Sequence, residues 1–286
     1  MISFLHLLDK SAGISSFSAL GALKRSLGTR KVGHAGTLDP FATGLLAALS
    51  GKLTKAAFLT EGLDKEYVSV FRFGRETDTL DTEGKVIAEA PVPSESRILS
   101  VLDDFRGDVV QRPPAFSAVK INGKRAYKQA REGRDVEMPE RTVRVEELDV
   151  LSWDSGDLKV RIRCSKGTYI RSIARDLGLA CGSRAYCREL RRTAIGPFRV
   201  EDASEPEAAS VQTAVAPGDY FRLLGLPSVS CGARAAEMLR GGVPVERIAP
   251  LSLPDGELVF VRDDEDVPAA LLEKKDGRWS YRIVFN

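Results

Sequence analysis

One acid stands out by its setting. Asp39 lies in the stretch Gly33-His34-Ala35-Gly36-Thr37-Leu38-Asp39-Pro40-Phe41-Ala42-Thr43-Gly44-Leu45-Leu46, which gathers backbone-special residues around a single carboxylate. Gly33, Gly36 and Gly44 permit positive φ or the close approach of another backbone. Pro40 sets its own φ and pushes Asp39 out of the α region toward extended geometry. Thr37 and Thr43 flank the acid with hydroxyls able to orient it. A carboxylate held on such a loop suits a nucleophile or a base. The same residue types also make an ordinary Asp-Pro turn, and by themselves they favour that plainer reading. Other chemistries have less support. Two histidines, His6 and His34, are too few for a zinc site or a Ser-His-Asp centre. Cys164, Cys181, Cys187 and Cys231 form no CxxC and no paired metal spacing, so they read as free thiols. Asp78-Thr79-Leu80-Asp81-Thr82-Glu83-Gly84 fails the calcium-loop spacing and reads as a polar turn in which Asp81 holds neighbouring loops.

The Asp39 stretch resembles the GH(A/T)G(A/T)LDPxATG signature of the TruB family of pseudouridine synthases. Further family-like segments lie in the same order along the chain: Leu8-Asp9-Lys10-Ser11-Ala12-Gly13-Ile14-Ser15-Ser16, Lys65-Glu66-Tyr67, Thr77-Asp78-Thr79-Leu80-Asp81, and Cys164-Ser165-Lys166-Gly167-Thr168-Tyr169-Ile170-Arg171-Ser172-Ile173. Ser11 stands where the family usually has proline, which loosens only the opening turn. The resemblance implies an α+β fold: a pseudouridine-synthase-like catalytic domain over residues 1–215, with a mixed, largely antiparallel central sheet flanked by helices. It also implies an RNA-binding insertion at about 112–144 and a small all-β PUA-like C-terminal domain over 225–286. The implied activity is isomerisation of the T-loop uridine, position 55 of tRNA, by base flipping. The T-arm of tRNA is then the partner, with no cofactor, metal or membrane, and the chain acts as a monomer. Asp39 would be the catalytic residue and Arg171 its charge partner. Tyr67 and Tyr169 would face the base, Leu190 would line the uridine pocket, and His34 would fill the gap the base leaves. Lys10, Lys55, Lys120, Lys124 and Lys128 would contact RNA.

The elements that must position these residues are legible in part. At 286 residues, 43% apolar and 29% charged, the chain is long enough for one large domain and a small appendage. It has neither an apolar run able to span a membrane nor a signal core, which points to the cytoplasm. The net charge of +2 hides a strong asymmetry. Residues 106–144 carry ten Lys/Arg against five Asp/Glu and residues 159–199 eleven against two, whereas residues 200–286 carry nine against fifteen. Two basic windows beside the motifs are the distribution expected of one face offered to a phosphate backbone.

Residues 3–9 read as a strand. Ser15 or Ser16 caps a helix whose Leu20, Leu23 and Leu27 share a face, closed by Gly28. Leu45 to Leu49 is a buried run that periodicity leaves open between helix and strand; Lys52 to Leu59 reads as helix and 66–73 as strand. A short strand over Lys85 to Ala90 precedes a helix that begins after Ser94, with Ile98, Val101, Leu102 and Phe105 on one face. From Arg112 the chain turns basic and proline-punctuated, with too few apolar positions for a core element and a length and charge that fit a loop gripping RNA. Residues 142–152 and 158–164 form a hairpin in which Leu158, Val160, Ile162 and Cys164 face inward. A helix from Tyr169 to Leu177 places Arg171 in its first turn, where a cation opposes the helix dipole and calls for a partner. Arg184 to Arg192 reads as a basic strand. Residues 225–286, with Leu258-Val259-Phe260-Val261 and Ile283-Val284-Phe285, read as a small β unit.

Two other functions fit parts of this pattern. A non-catalytic RNA-binding protein would explain the basic windows but gains nothing from an Asp-Arg pair. A hydrolase using Asp39 with Asp81 would need its second acid in what reads as an ordinary turn.

Overall fold

The strand Thr43–Ser50 shows why its residues carry no period: it is buried on both faces. Leu46 and Ala48 pack into one apolar core, while Leu45, Ala47 and Leu49 pack into a second. The run left open between helix and strand is therefore a strand dividing two cores.

The computed structural model describes residues 3–117, 119–121, 123–133, 136–248, 253 and 257–286. Among these, a nine-stranded sheet runs in the order Leu5–Lys10, Thr43–Ser50, Ala185–Ile195, Lys65–Phe73, Asp157–Cys164, Arg141–Asp154, Gly107–Gln111, with Val32–His34 and Phe198–Arg199 attached at its side. Neighbours along this path are antiparallel except Thr43–Ser50 and Ala185–Ile195, which are parallel. Asp157–Cys164 alternates as its sequence does, with Leu158, Val160, Ile162 and Cys164 buried and Lys159, Arg161 and Arg163 exposed.

Three helices cover the first core. Ser16–Ser26 begins at Ser15, whose side chain accepts from the Ser18 N–H, and it buries Leu20 and Leu23. Glu95–Val101 begins at Ser94 in the same way and buries Ile98 and Val101. Ile170–Ala180 lays Ile173, Ala174 and Leu177 on the sheet, and Gly178 lets it come close: a Cβ there would sit 2.6 Å from the Ala185 nitrogen. On the opposite face, the 3-10 turn Gly51–Ala56 and the short helices Ala57–Glu61 and Pro217–Leu223 join the tail in the second core. The tail is a four-stranded sheet, Ser228–Cys231, Leu258–Asp263, Pro268–Lys275 and Arg278–Val284. It also carries one helix, Ala233–Arg240, that buries Ala236 and Leu239; its Ala-rich sequence between glycines favours that state. Phe260, Leu271 and Ile283 of the tail share their core with Leu5, Leu45 and Leu49 of the central sheet.

The basic segment leaves the central sheet after Gln111 and rejoins it at Arg141, which pairs with Gln111. Residues 141–144 thus belong to the sheet. Within the excursion, Lys120–Ile121 pairs with Lys124–Arg125, and Ala126–Arg131 forms a short helix. No helix among the described residues is long and apolar enough to cross a membrane.

Candidate active site

The loop that carries Asp39 is held peptide by peptide. Arg192 donates from Nη2 to the Gly36 carbonyl at 3.2 Å, from Nη1 to the Thr37 carbonyl at 3.5 Å and from Nε to the Leu45 carbonyl at 2.7 Å. Ser16 Oγ accepts from the Leu38 N–H at 2.8 Å and donates to the Leu38 carbonyl at 2.9 Å. The Asp39 carbonyl accepts from the Ala42 N–H, and the Pro40 carbonyl accepts from both the Gly13 N–H and Lys10 Nζ. Every carbonyl from Gly36 to Pro40 therefore has a donor, and the loop has little freedom left. Gly36 and Gly44 take positive φ and Gly33 does not. Gly44 has the stricter demand: a Cβ there would lie 2.3 Å from the Arg192 carbonyl oxygen, where the two parallel strands meet.

The Asp39 side chain meets Arg171. Arg171 Nε lies 2.9 Å from Asp39 Oδ2, close but not aligned as a hydrogen bond. The rest of the guanidinium is engaged elsewhere: Nη1 donates to Asp81 Oδ2 at 3.0 Å and to the Thr79 carbonyl at 2.7 Å, and Nη2 to the Phe116 carbonyl at 3.0 Å. Asp81 also accepts from Thr79 Oγ1 at 2.6 Å and from the Glu83 N–H at 3.0 Å. One buried cation is thus shared between two acids. The consequence appears in the Asp39 carboxyl, whose pKa is raised above the ordinary carboxylate value. Burial is the largest cause; Arg171 opposes it, and the charge of Asp81 adds to it. The opposition expected of Arg171 is real, but burial outweighs it.

Asp39 opens onto a cavity of about 290 Å³, near the lower end of the ~300–1,000 Å³ typical of small-ligand clefts. That is room for a nucleotide rather than a helix. Its walls include Tyr67, Tyr169, Leu190, Arg192 and Arg171. Tyr67 is buried with its hydroxyl turned to Arg192, and burial pushes its phenol pKa up. Tyr169 is half-buried, with the Arg141 guanidinium 4.8 Å from its ring centroid. Lys65 also lines the cavity, its ammonium donating to the Glu61 and Leu63 carbonyls. Among the described residues no cluster of three or more His, Cys, Asp or Glu is placed to hold a metal.

A family model described as TruB family pseudouridylate synthase (N terminal domain) matches residues 24–170. A tRNA pseudouridine synthase B of Borreliella afzelii (strain PKo) is 49% identical over 283 residues, covering 98% of both chains. The chain belongs to the TruB family. A second relative of the same name, from Borrelia garinii subsp. bavariensis, is 50% identical over 201 residues, 69% of this chain and 71% of that one. The fold is also that of a chain in the crystal structure of a Cbf5-Nop10-Gar1 complex, with TM-score 0.68 and 25% identity over 99% of this chain and 84% of the other.

In this TruB-family chain, the expected residues fall into three groups. Asp39, Arg171, Tyr67, Tyr169 and Leu190 all line the cavity. His34 is not on its wall. It ends the strand Val32–His34 with Nδ1 buried and without a hydrogen-bond partner, and its imidazole pKa is lowered by burial and by Arg192. The RNA lysines scatter. Lys124 and Lys128 are exposed in the basic excursion, and the side chain of Lys120 lies outside the described residues. Lys55 is exposed too, but it faces a separate cleft shared with Lys31, Lys52 and Arg282 at the seam with the tail. Lys10 corrects the expectation of an RNA contact. It is 0% exposed, and its ammonium donates to the carbonyls of Ser11, Ile14 and Pro40 at 2.9, 2.9 and 3.2 Å, so it anchors the Asp39 loop from beneath.

Two further residues hold the loop. In sequence Ser16 is one of two candidate helix caps at the end of a family-like segment; the cap is Ser15, and Ser16 clamps Leu38. Arg192 reads as one cation in a basic strand, yet it is 1% exposed. The available signal was alternation: Leu190, Arg192 and Ala194 share one buried face of the strand Ala185–Ile195.

Proposed function

We propose that this chain converts uridine to pseudouridine in tRNA, with the T-loop uridine as its target and Asp39 as the residue that acts on it. The reaction breaks the N1–C1′ bond between uracil and ribose, turns the base, and joins C5 to C1′; the C5 proton leaves and N1 gains one, with no net oxidation. One observation carries the reading. A carboxylate on a loop whose five carbonyls are all engaged stands 2.9 Å from a buried arginine and faces a cavity walled by two tyrosines.

Each part has work to do. Asp39 acts ionised, as nucleophile or base, and Arg171 stabilises that charge against burial. Tyr67 and Tyr169 offer rings and hydroxyls to a base taken out of the RNA stack, and Leu190 helps to keep the pocket dry. Flipping a base costs a few kcal/mol, which phosphate contacts made by Lys124 and Lys128 offset. Residues 1–215 form the catalytic domain in this reading and 225–286 the PUA-like tail. The chain works as a monomer in the cytoplasm and grips the T-arm.

The test is tritium release from unmodified tRNA labelled at uridine C5. The parent chain releases label and places product in the T-loop, while Asp39→Asn binds tRNA as well as the parent and releases none. Release by Asp39→Asn would remove Asp39 from the centre. Binding without release by either chain would favour an RNA-binding protein on this scaffold.

A further inference from the structure

Gln111 is the last residue of the strand Gly107–Gln111, where the basic excursion begins, and it is 1% exposed. Both ends of its amide are spent on one residue 58 positions away. Oε1 accepts from the Tyr169 N–H at 2.8 Å, and Nε2 donates to the Tyr169 carbonyl at 2.9 Å. Tyr169 precedes the helix Ile170–Ala180 as its cap residue, and its own side chain makes no capping hydrogen bond among the described residues. A bidentate clamp on the backbone of that residue, across the two peptides that flank its Cα, sets the direction of the first turn. The turn carries the Tyr169 ring on the cavity wall and, two residues on, the Arg171 side chain beside Asp39.

The next residues of the excursion are tied to the same turn. Ser172 Oγ and Arg175 Nη2 each donate to the Arg112 carbonyl at 2.9 Å, and Arg171 Nη2 donates to the Phe116 carbonyl at 3.0 Å. The root of the excursion and the Asp39–Arg171 pair are therefore joined through backbone carbonyls. Arg171 itself holds both.

We infer that Gln111 is a positioning residue of the reaction: it keeps Tyr169 and Arg171 in register with Asp39 and locks the root of the basic excursion to that pair. This rests on the roles proposed above for Asp39 and Arg171. Gln111 acts through Tyr169 and touches neither base nor sugar. A misplacement of the order of 1 Å in a catalytic group costs about 10²-fold in rate. A loosened Arg171 would also oppose the burial of the Asp39 charge less well, so the ionised acid would be lost at higher pH.

The experiment uses the full chain and C5-tritiated tRNA under saturating enzyme, between about pH 5 and pH 9, with parent, Gln111→Leu, Gln111→Glu and Asp39→Asn. Gln111→Leu removes both hydrogen bonds and puts an apolar side chain of similar volume in place of the amide. The rate constant at saturation is expected to fall ~10–100-fold, with the half-saturating enzyme concentration changing less than about threefold and the acid limb moving to higher pH. Gln111→Glu, once ionised at the alkaline end of the range, still accepts from the Tyr169 N–H but cannot donate to the carbonyl, and should there fall between Leu and parent. A parent rate and parent acid limb in folded Gln111→Leu would overturn the inference. So would a rate loss matched by a fall in Tm with the acid limb unmoved, which is the mark of a purely structural residue. Should the Leu variant not fold, a parent-like rate in Gln111→Glu at the alkaline end of the range, where it cannot donate, overturns it equally. An inactive Asp39→Asn beside a parent-like Gln111→Leu removes this inference alone, whereas an active Asp39→Asn removes the underlying site.

Discussion

Arg192 and Arg171 are both nearly sealed from solvent, at 1% and 3% exposure, and both serve the same loop by opposite means. Arg192 spends its guanidinium on the neutral carbonyls of Gly36, Thr37 and Leu45 and fixes the shape of the loop. Arg171 faces the carboxylates of Asp39 and Asp81 and sets the charge the loop presents. The same side chain is thus a brace in one place and an electrostatic partner in the other. What separates the two uses is the partner: a carbonyl dipole takes a hydrogen bond, while a carboxylate also titrates.

Breaking the charged member should cost most. Arg171→Ala is expected to abolish nearly all label release with only a modest loss of tRNA binding. It should also destabilise the fold by about 3–5 kcal/mol, because Asp81 is left as a buried charge without its cation; a parent rate with parent Tm would remove Arg171 from the site. Breaking the brace comes next. Arg192→Leu leaves three carbonyls short of donors at about 1–3 kcal/mol each, partly offset by the apolar replacement, so a loss of a few kcal/mol in denaturant titration and a lower rate are expected.

The pH profile sharpens the comparison. Burial raises the Asp39 pKa, so with Asp39 acting ionised as proposed, activity should fall as pH drops through a value above that of an ordinary aspartate. Arg171→Lys should move this acid limb further up. Arg192→Leu should move it less, since Arg192 is not among the leading causes of the Asp39 shift. Equal movement of the limb in both variants would collapse the distinction. The smallest effect concerns the exposed cations: Lys124→Ala with Lys128→Ala should weaken tRNA binding and flatten its salt dependence by about one unit of log–log slope or less per lost contact, leaving the rate at saturation unchanged. An unaltered slope would show that these lysines do not meet phosphate.

Lys10, beside all of these, shows where reading the chain runs short. Its place in a family-like segment suggested an RNA contact, yet two of its three carbonyl partners, Ser11 and Ile14, are local and the third, Pro40, comes from the loop folded over it. A lysine beside a turn looks the same whether or not another loop covers it. Arg192 was hidden in a different way, because in a strand dense with cations only the pleat distinguishes an inward arginine from its solvated neighbours Arg188 and Arg191. The helix Ala233–Arg240 lies in a stretch that reads as strands, because strands dominate its surroundings.

Local order came from the chain itself: caps at Ser15 and Ser94, alternation along Asp157–Cys164, and an acid held by Pro40 among glycines. These depend on φ preferences, hydroxyl acceptors and pleat, all of which act over a few residues. Tertiary structure alone decided that Thr43–Ser50 separates two cores, that Lys10 and Arg192 brace one loop from two sides, and that burial outweighs Arg171 at Asp39. Those outcomes depend on which surfaces lose water and which distant carbonyls come within 3 Å or so of a donor, and residue types a few positions apart carry neither.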